Sequence, residues 1–182
     1  GSADSGETVR VEASDGRFLA WAAFSPSSSI RVRAWSFDEA ERIDEAFFAR
    51  RIAAALRLRE RLAIRSNGVR LVHGEADGLP GLIVDRYADL LVAQFLSSGT
   101  EKWKSVIADA LLSATGLSRL YERSDSGVRQ LEGLVQQAGW LRGDGATEVE
   151  LEESSWRLKL DVAEGHKTGY YLDQRENRAL FA

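Results

Sequence analysis

The densest set of groups able to do chemistry is Gly165-His166-Lys167-Thr168-Gly169-Tyr170-Tyr171-Leu172-Asp173-Gln174-Arg175-Glu176-Asn177-Arg178. Gly169 interrupts local structure. Leu172-Asp173 reads as the start of a helix, with the Asp173 carboxylate capping the amides of Arg175 or Glu176. A loop-to-helix corner of this kind presents backbone amides and long polar side chains, a combination suited to an anionic or polar ligand.

Other constellations are weaker. His73, Glu75 and Asp77 alternate, so on a strand they share one face, and Asp85 could join them around a divalent cation. The same residues equally suit a turn at a sheet edge. Gly165-His166-Lys167-Thr168 resembles the end of a phosphate loop, but the full signature needs glycines where Asp161 and His166 stand. Gly143 and Gly145 begin a dinucleotide fingerprint that Glu148 breaks, and no Gly-x-Ser-x-Gly elbow exists. Arg123, Ser124, Asp125 and Arg129 read either as an anion-binding loop or as a network pinning an irregular segment.

The 182 residues are 44% hydrophobic and carry a formal net charge of -4. That is enough chain for one medium domain or two small ones. The acidic balance argues against a generally basic nucleic-acid binder but leaves room for local basic patches. No run is long and apolar enough to span a bilayer, and the first residues lack an apolar signal core. Gly1-Ser2 reads as a cloning remnant. Cys is absent, which removes disulfides, thiolate metal sites and thiol nucleophiles together. A soluble protein of the cytoplasm is expected.

Several elements must position these groups. Residues 9–13, 17–24 and 30–35 read as strands around an Asp15-Gly16 hairpin turn, as if they were the later part of a small β-barrel. A helix runs from Asp44, its N-cap, to about Leu62, with Ile43 and Phe48 forming a hydrophobic staple. Its acids gather at the start and its arginines toward the end, as the macrodipole favours. Arg57, Arg59, Arg61 and Arg65 therefore suit a solvated face, or a patch for RNA phosphates. Strands follow at 69–75, 82–86 and 90–96. A helix capped by Thr100 and stopped by Gly116 comes next, then a strand at 119–123 and a hairpin at 148–153 and 155–160. The fold class is α+β with an antiparallel sheet.

Three motifs carry a resemblance. The first is Arg70-Leu71-Val72-His73-Gly74-Glu75-Ala76-Asp77-Gly78-Leu79-Pro80-Gly81-Leu82-Ile83-Val84-Asp85. The others are Arg123-Ser124-Asp125 with Glu132-Gly133-Leu134, and Lys167-Thr168-Gly169 running on to Asn177-Arg178. In this order they resemble the SAM-dependent 23S rRNA cytosine-C5 methyltransferases of the ribosomal large subunit methyltransferase I type. The resemblance covers essentially the whole chain.

It implies a partial PUA-like β-barrel at 1–38, a linking helix at 39–66, a central antiparallel α+β domain at 67–164, and only the start of a methyltransferase domain at 165–182. The Rossmann-like part is expected to be essentially absent. It also implies S-adenosyl-L-methionine as cofactor, contacted by Gln174 and Arg175, with Tyr171 and Arg178 behind them. The usual Gln before Lys-Thr-Gly is His166 here. The partner implied is 23S rRNA, met through Arg31, Arg33, Arg57, Arg61 and Arg65. The family forms a covalent cysteine adduct at cytosine C6, so a Cys-free chain without a Gly-rich donor loop is expected to be inactive alone. No catalytic or metal residue is assigned, and a homodimer through an unsatisfied face is an added expectation. Two other readings stand beside it. One is a non-catalytic RNA-binding module, with Trp21 or Trp35 as stacking platforms. The other is a metal-dependent hydrolase built on Glu75, Asp77 and Asp85.

Overall fold

Alternating apolar residues, cut by Asp15-Gly16, fold into β1 (Thr8–Glu12), β2 (Phe18–Phe24) and β3 (Val32–Ser36), an antiparallel sheet in that order. The computed structural model describes residues 3–181, so the reading of Gly1-Ser2 lies outside the described residues. Trp35 joins this sheet to helix α1 (Glu45–Arg61). The Asp44 carboxylate accepts the Phe47 amide at 3.0 Å, and Ile43 packs on the same core as Phe48, so cap and staple both form. Trp35 meets Phe47 and Phe48 edge-on, with centroids 6.3 and 5.4 Å away. Only 3% of Trp35 is exposed, which corrects its reading as a stacking platform: it is core.

The central sheet has five strands in the order β4 (Gly68–His73), β5 (Leu82–Tyr87), β6 (Leu90–Phe95), β7 (Arg119–Ser124) and β8 (Gln137–Arg142). It is not purely antiparallel as expected, because β6 and β7 run parallel. Tight turns join β5 to β6 and force antiparallel pairing. Between β6 and β7, helices α2 (Ser98–Lys102) and α3 (Lys104–Thr115) carry the chain back to the same end, as a parallel pair requires. The helical start also differs. Ser97 is the cap, and Thr100 sits three residues on, completing a reciprocal capping box. Gly116 ends α3 in the left-handed region at φ 70°, as predicted.

The N-terminal sheet, α1, α3 and one face of the central sheet share a single apolar cluster. A polar contact fixes the same junction. Buried Glu132, just after α4 (Val128–Leu131), accepts from the Ser98 amide at 3.2 Å and from Arg33 at 3.2 Å. Burial pushes its carboxyl up, but the Ser98 amide, the Ser28 and Ser25 hydroxyls and Arg33 outweigh that and hold it low. On the opposite face of the central sheet lie a hairpin, β9 (Glu148–Glu153) and β10 (Trp156–Asp161), and the 165–178 corner.

Candidate functional site

The corner is shaped by two glycines and held by one buried network. A Cβ on Gly165 would lie 2.2 Å from the Gly169 carbonyl oxygen, so the chain can close on itself only with glycine there. Gly169 adopts φ 142°, and its amide donates to the His166 carbonyl at 2.8 Å. Below this turn, the Tyr170 amide donates to the Tyr87 hydroxyl (3.0 Å), which bonds Thr168 Oγ1 (3.0 Å), which in turn donates to the Asp85 carboxylate. Asp85, fully buried on β5, also accepts Arg70 Nε and Nη2 at 2.8 and 2.9 Å. Successive donation along one chain strengthens each member. Burial, with the nearby Asp85 charge, pushes the Tyr87 phenol up to about 12. The network ties the corner to the central sheet.

Beyond the turn the chain enters a short 3-10 segment, Leu172–Gln174, and then α5 (Arg175–Phe181). Asp173 does not cap this start. Its carboxylate takes the Lys167 ammonium instead, at 3.2 Å. The four residues expected at the donor site divide into two pairs. Arg178 donates from Nε and Nη2 to both oxygens of Glu153, at 2.9 and 2.7 Å, and from Nη1 to the Tyr171 carbonyl at 2.7 Å. Arg175 lies 3.4 Å from the same carboxylate and donates to the Gly68 carbonyl at 3.1 Å. Gln174 and Tyr171 face solvent. Among the described residues the Tyr171 hydroxyl has no hydrogen-bond partner, whereas Gln174 Oε1 accepts from Asn177 at 2.6 Å and its Nε2 reaches Asp173 at 3.5 Å.

Glu153, 2% exposed, is the residue the sequence reading missed. Its signal was present: strict alternation along β9 puts Glu153 on the face of Val149 and Leu151, pointing inward. Asp85 and Tyr87 gave no comparable signal, since both faces of β5 are covered over much of its length.

The alternating His73, Glu75 and Asp77 do not converge. Asp77 forms a bidentate pair with Arg59 at 2.5 and 2.7 Å, Glu75 reaches Arg33 at 3.4 Å, and Asp85 is spent on Arg70. Among the described residues no group of three metal-ligating side chains comes together. The 123–129 segment is a pinning network. Buried Arg129 donates to the Phe95 and Val135 carbonyls and to Glu101, and Arg123 donates to the Val162 and Gly165 carbonyls.

The expected RNA-facing arginines are scattered. Arg31 is exposed and donates to the Pro26 carbonyl, whereas Arg33 is spent on Glu75 and Glu132. Arg57, Arg61 and Arg65 are exposed at the far end of α1 and just beyond it, with no ion pair among the described residues. No helix among these residues is long and apolar enough to cross a membrane.

A family profile described as a PUA-like domain matches residues 1–37. The chain is 47% identical over 181 residues to a ribosomal RNA large subunit methyltransferase I of Aliivibrio fischeri, covering 98% of this chain and 46% of that protein. It is 48% identical over 186 residues to the protein of the same name from Shewanella frigidimarina, covering 100% and 47%. The chain therefore spans about half the length of the curated relatives it matches. A solved structure described as a SAM-dependent methyltransferase from Streptococcus mutans superposes with a TM-score of 0.79 at 19% identity, over 98% of this chain and 46% of its own. A second, described as a methyltransferase complexed with SAH, gives 0.80 at 18% identity, over 96% and 44%. The resemblance read from the three motifs is thus met along the whole chain, and the fold is shared with methyltransferases.

Proposed function

We propose that this chain is the RNA-facing part of a SAM-dependent rRNA methyltransferase acting on cytosine C5 of 23S rRNA, and that residues 165–178 form one wall of its methyl-donor site. The observation that carries this reading is the corner itself. A buried network fixes its backbone, yet among the described residues the exposed Tyr171 hydroxyl stays unpartnered at its surface, beside an exposed Gln174 held only by its neighbours Asn177 and Asp173. Those two side chains fit the polar flank of a nucleoside-like donor. Arg175 and Arg178 border the same wall and position it through Glu153. SAM, when bound, supplies the electrophilic methyl group.

The other walls of a donor pocket and a cysteine nucleophile are not among these residues, the sequence having no Cys. The chain by itself therefore recognises RNA and transfers nothing. Its phosphate contacts are Arg57, Arg61 and Arg65, with Arg31 on the N-terminal sheet. Arg33 serves the junction between the sheets.

Filter binding of a 23S rRNA transcript, with a calorimetric titration of SAM alongside, tests the proposal. Affinity for the transcript should fall steeply between low and moderate salt, because each phosphate contact releases a counterion. SAM should give no saturable heat, since one wall cannot offset the cost of immobilising a ligand. Salt-independent RNA binding would remove the phosphate patch. Tight SAM binding, or methyl transfer by the chain alone, would overturn the division of labour.

A further inference from the structure

The two faces of the central sheet are covered unequally. One is closed along its length by α1 and α3. On the other, the hairpin and the corner cover Tyr87, Leu90, Val92, Tyr121 and Asp85. The next row along the strands, Ile83 and its register partner Gln94, is only half-buried, with the buried Arg123 beside it. Arg70 and Lys167 stand on one side of this row and Asp125-Ser126 on the other, enclosing a cleft of about 400 Å³.

An antiparallel sheet can leave a face to water. This cleft differs in how its polar atoms are spent. Gln94 donates Nε2 to the Arg123 carbonyl at 3.0 Å, which fixes the amide and leaves its oxygen without a hydrogen-bond partner among the described residues. Arg70 uses Nε and Nη2 on Asp85, leaving Nη1 with only a 3.4 Å contact to His73. Half-buried Ile83 supplies an apolar floor between them. Each cation has its own carboxylate: Arg70 with Asp85, Arg123 with Asp125, Lys167 with Asp173. With its charges cancelled, the cleft offers little to a bare phosphate. It does offer a fixed amide acceptor, a guanidinium donor and an apolar surface along one cleft.

We infer that the cleft between Ile83, Gln94, Arg70 and Lys167 receives one unpaired RNA base. The inference rests on the RNA-binding reading proposed above and names the part of the RNA that meets this face. Sequence-selective RNA contacts fall on unstacked bases, whose edges carry adjacent donors and acceptors and whose faces pack on apolar or planar side chains. Lys167 belongs to both the cleft and the corner, so the base would sit beside the donor wall.

The test is fluorescence anisotropy of the whole 182-residue chain with two labelled oligonucleotides. One is a single-stranded RNA of mixed sequence; the other has the same backbone with its central bases removed. The base-bearing strand should bind more tightly. Gln94→Leu should weaken it by about tenfold, the scale of a lost oriented hydrogen bond and disturbed stacking, while leaving the abasic strand unchanged. Ile83→Gln, which replaces the apolar floor at similar volume, should do the same and stands in if the first variant fails to fold. Equal loss on both strands, or none on either, with wild-type RNA binding intact, would overturn the cleft and leave the RNA-binding reading standing. No binding of either strand by the wild-type chain would overturn both.

Discussion

The end of α1 and the 165–178 corner each gather arginines, and the two groups meet opposite fates. Arg57, Arg61 and Arg65 form no ion pair among the described residues and are exposed. Arg175 and Arg178 converge on one nearly buried acid, Glu153, supplied by a different element. The exposed group keeps its charge available to a polyanion but adds little to stability. The paired group is the reverse: it fixes the corner and has little charge to offer a ligand. What separates the two is whether another strand brings an inward-facing acid, not the arginines or their spacing.

Removing the acid should break the contrast most severely. Glu153→Ala leaves two partly buried guanidiniums unpaired, and about 2–4 kcal/mol of stability should be lost, at or just below the cost of stranding a buried charge. A urea midpoint that does not move would mean the corner is held by its other tether alone.

That second tether gives the next effect. The Tyr87 phenol is held near 12 in the fold, against about 10 in the unfolded chain. Between these values the unfolded state has released the proton and the folded state has not. Its contribution is therefore complete below pH 10 and lost as the pH rises toward 12. The loss is on the order of 2 kcal/mol. Tyr87→Phe should be less stable than wild type at neutral pH, but the gap should narrow through this window, as alkaline urea titrations would record. A constant gap would mean that the phenol does not titrate differently in the two states.

Changing Arg57, Arg61 and Arg65 together to Ser should do least to the fold, within about 0.5 kcal/mol per site. The same variant should bind 23S rRNA more weakly, and the slope of log affinity against log salt should become shallower by up to about two to three. An unchanged slope would place the phosphate contacts elsewhere and blunt the comparison.

Much of the fold was legible because local rules and tertiary structure agree. Asp44, Ile43 and Phe48 mark the start of α1, and Gly116 ends α3 where a left-handed residue was needed. The β9–β10 hairpin follows its alternation closely, and the corner lies where its glycines and polar residues crowd together. β8 escaped notice because Gln137-Ala138-Gly139-Trp140-Leu141-Arg142 has weak alternation and a central glycine; it pairs with β7 as an edge strand. The parallel β6–β7 pair escaped because strand direction depends on where the intervening helices deliver the chain, which no residue along the strand records.

By itself the sequence determined the α+β class, the main caps and turns, the absence of a thiol nucleophile and the location of the polar corner, since these depend on residue type and short-range spacing. Only the tertiary structure decided which charges remain free. Asp77 went to Arg59, Asp85 to Arg70 and Thr168, and Glu153 to Arg175 and Arg178, all across long stretches of sequence. The physical reason is desolvation: an acid turned into the sheet must find a cation there, and that pairing depends on which strands the fold lays side by side.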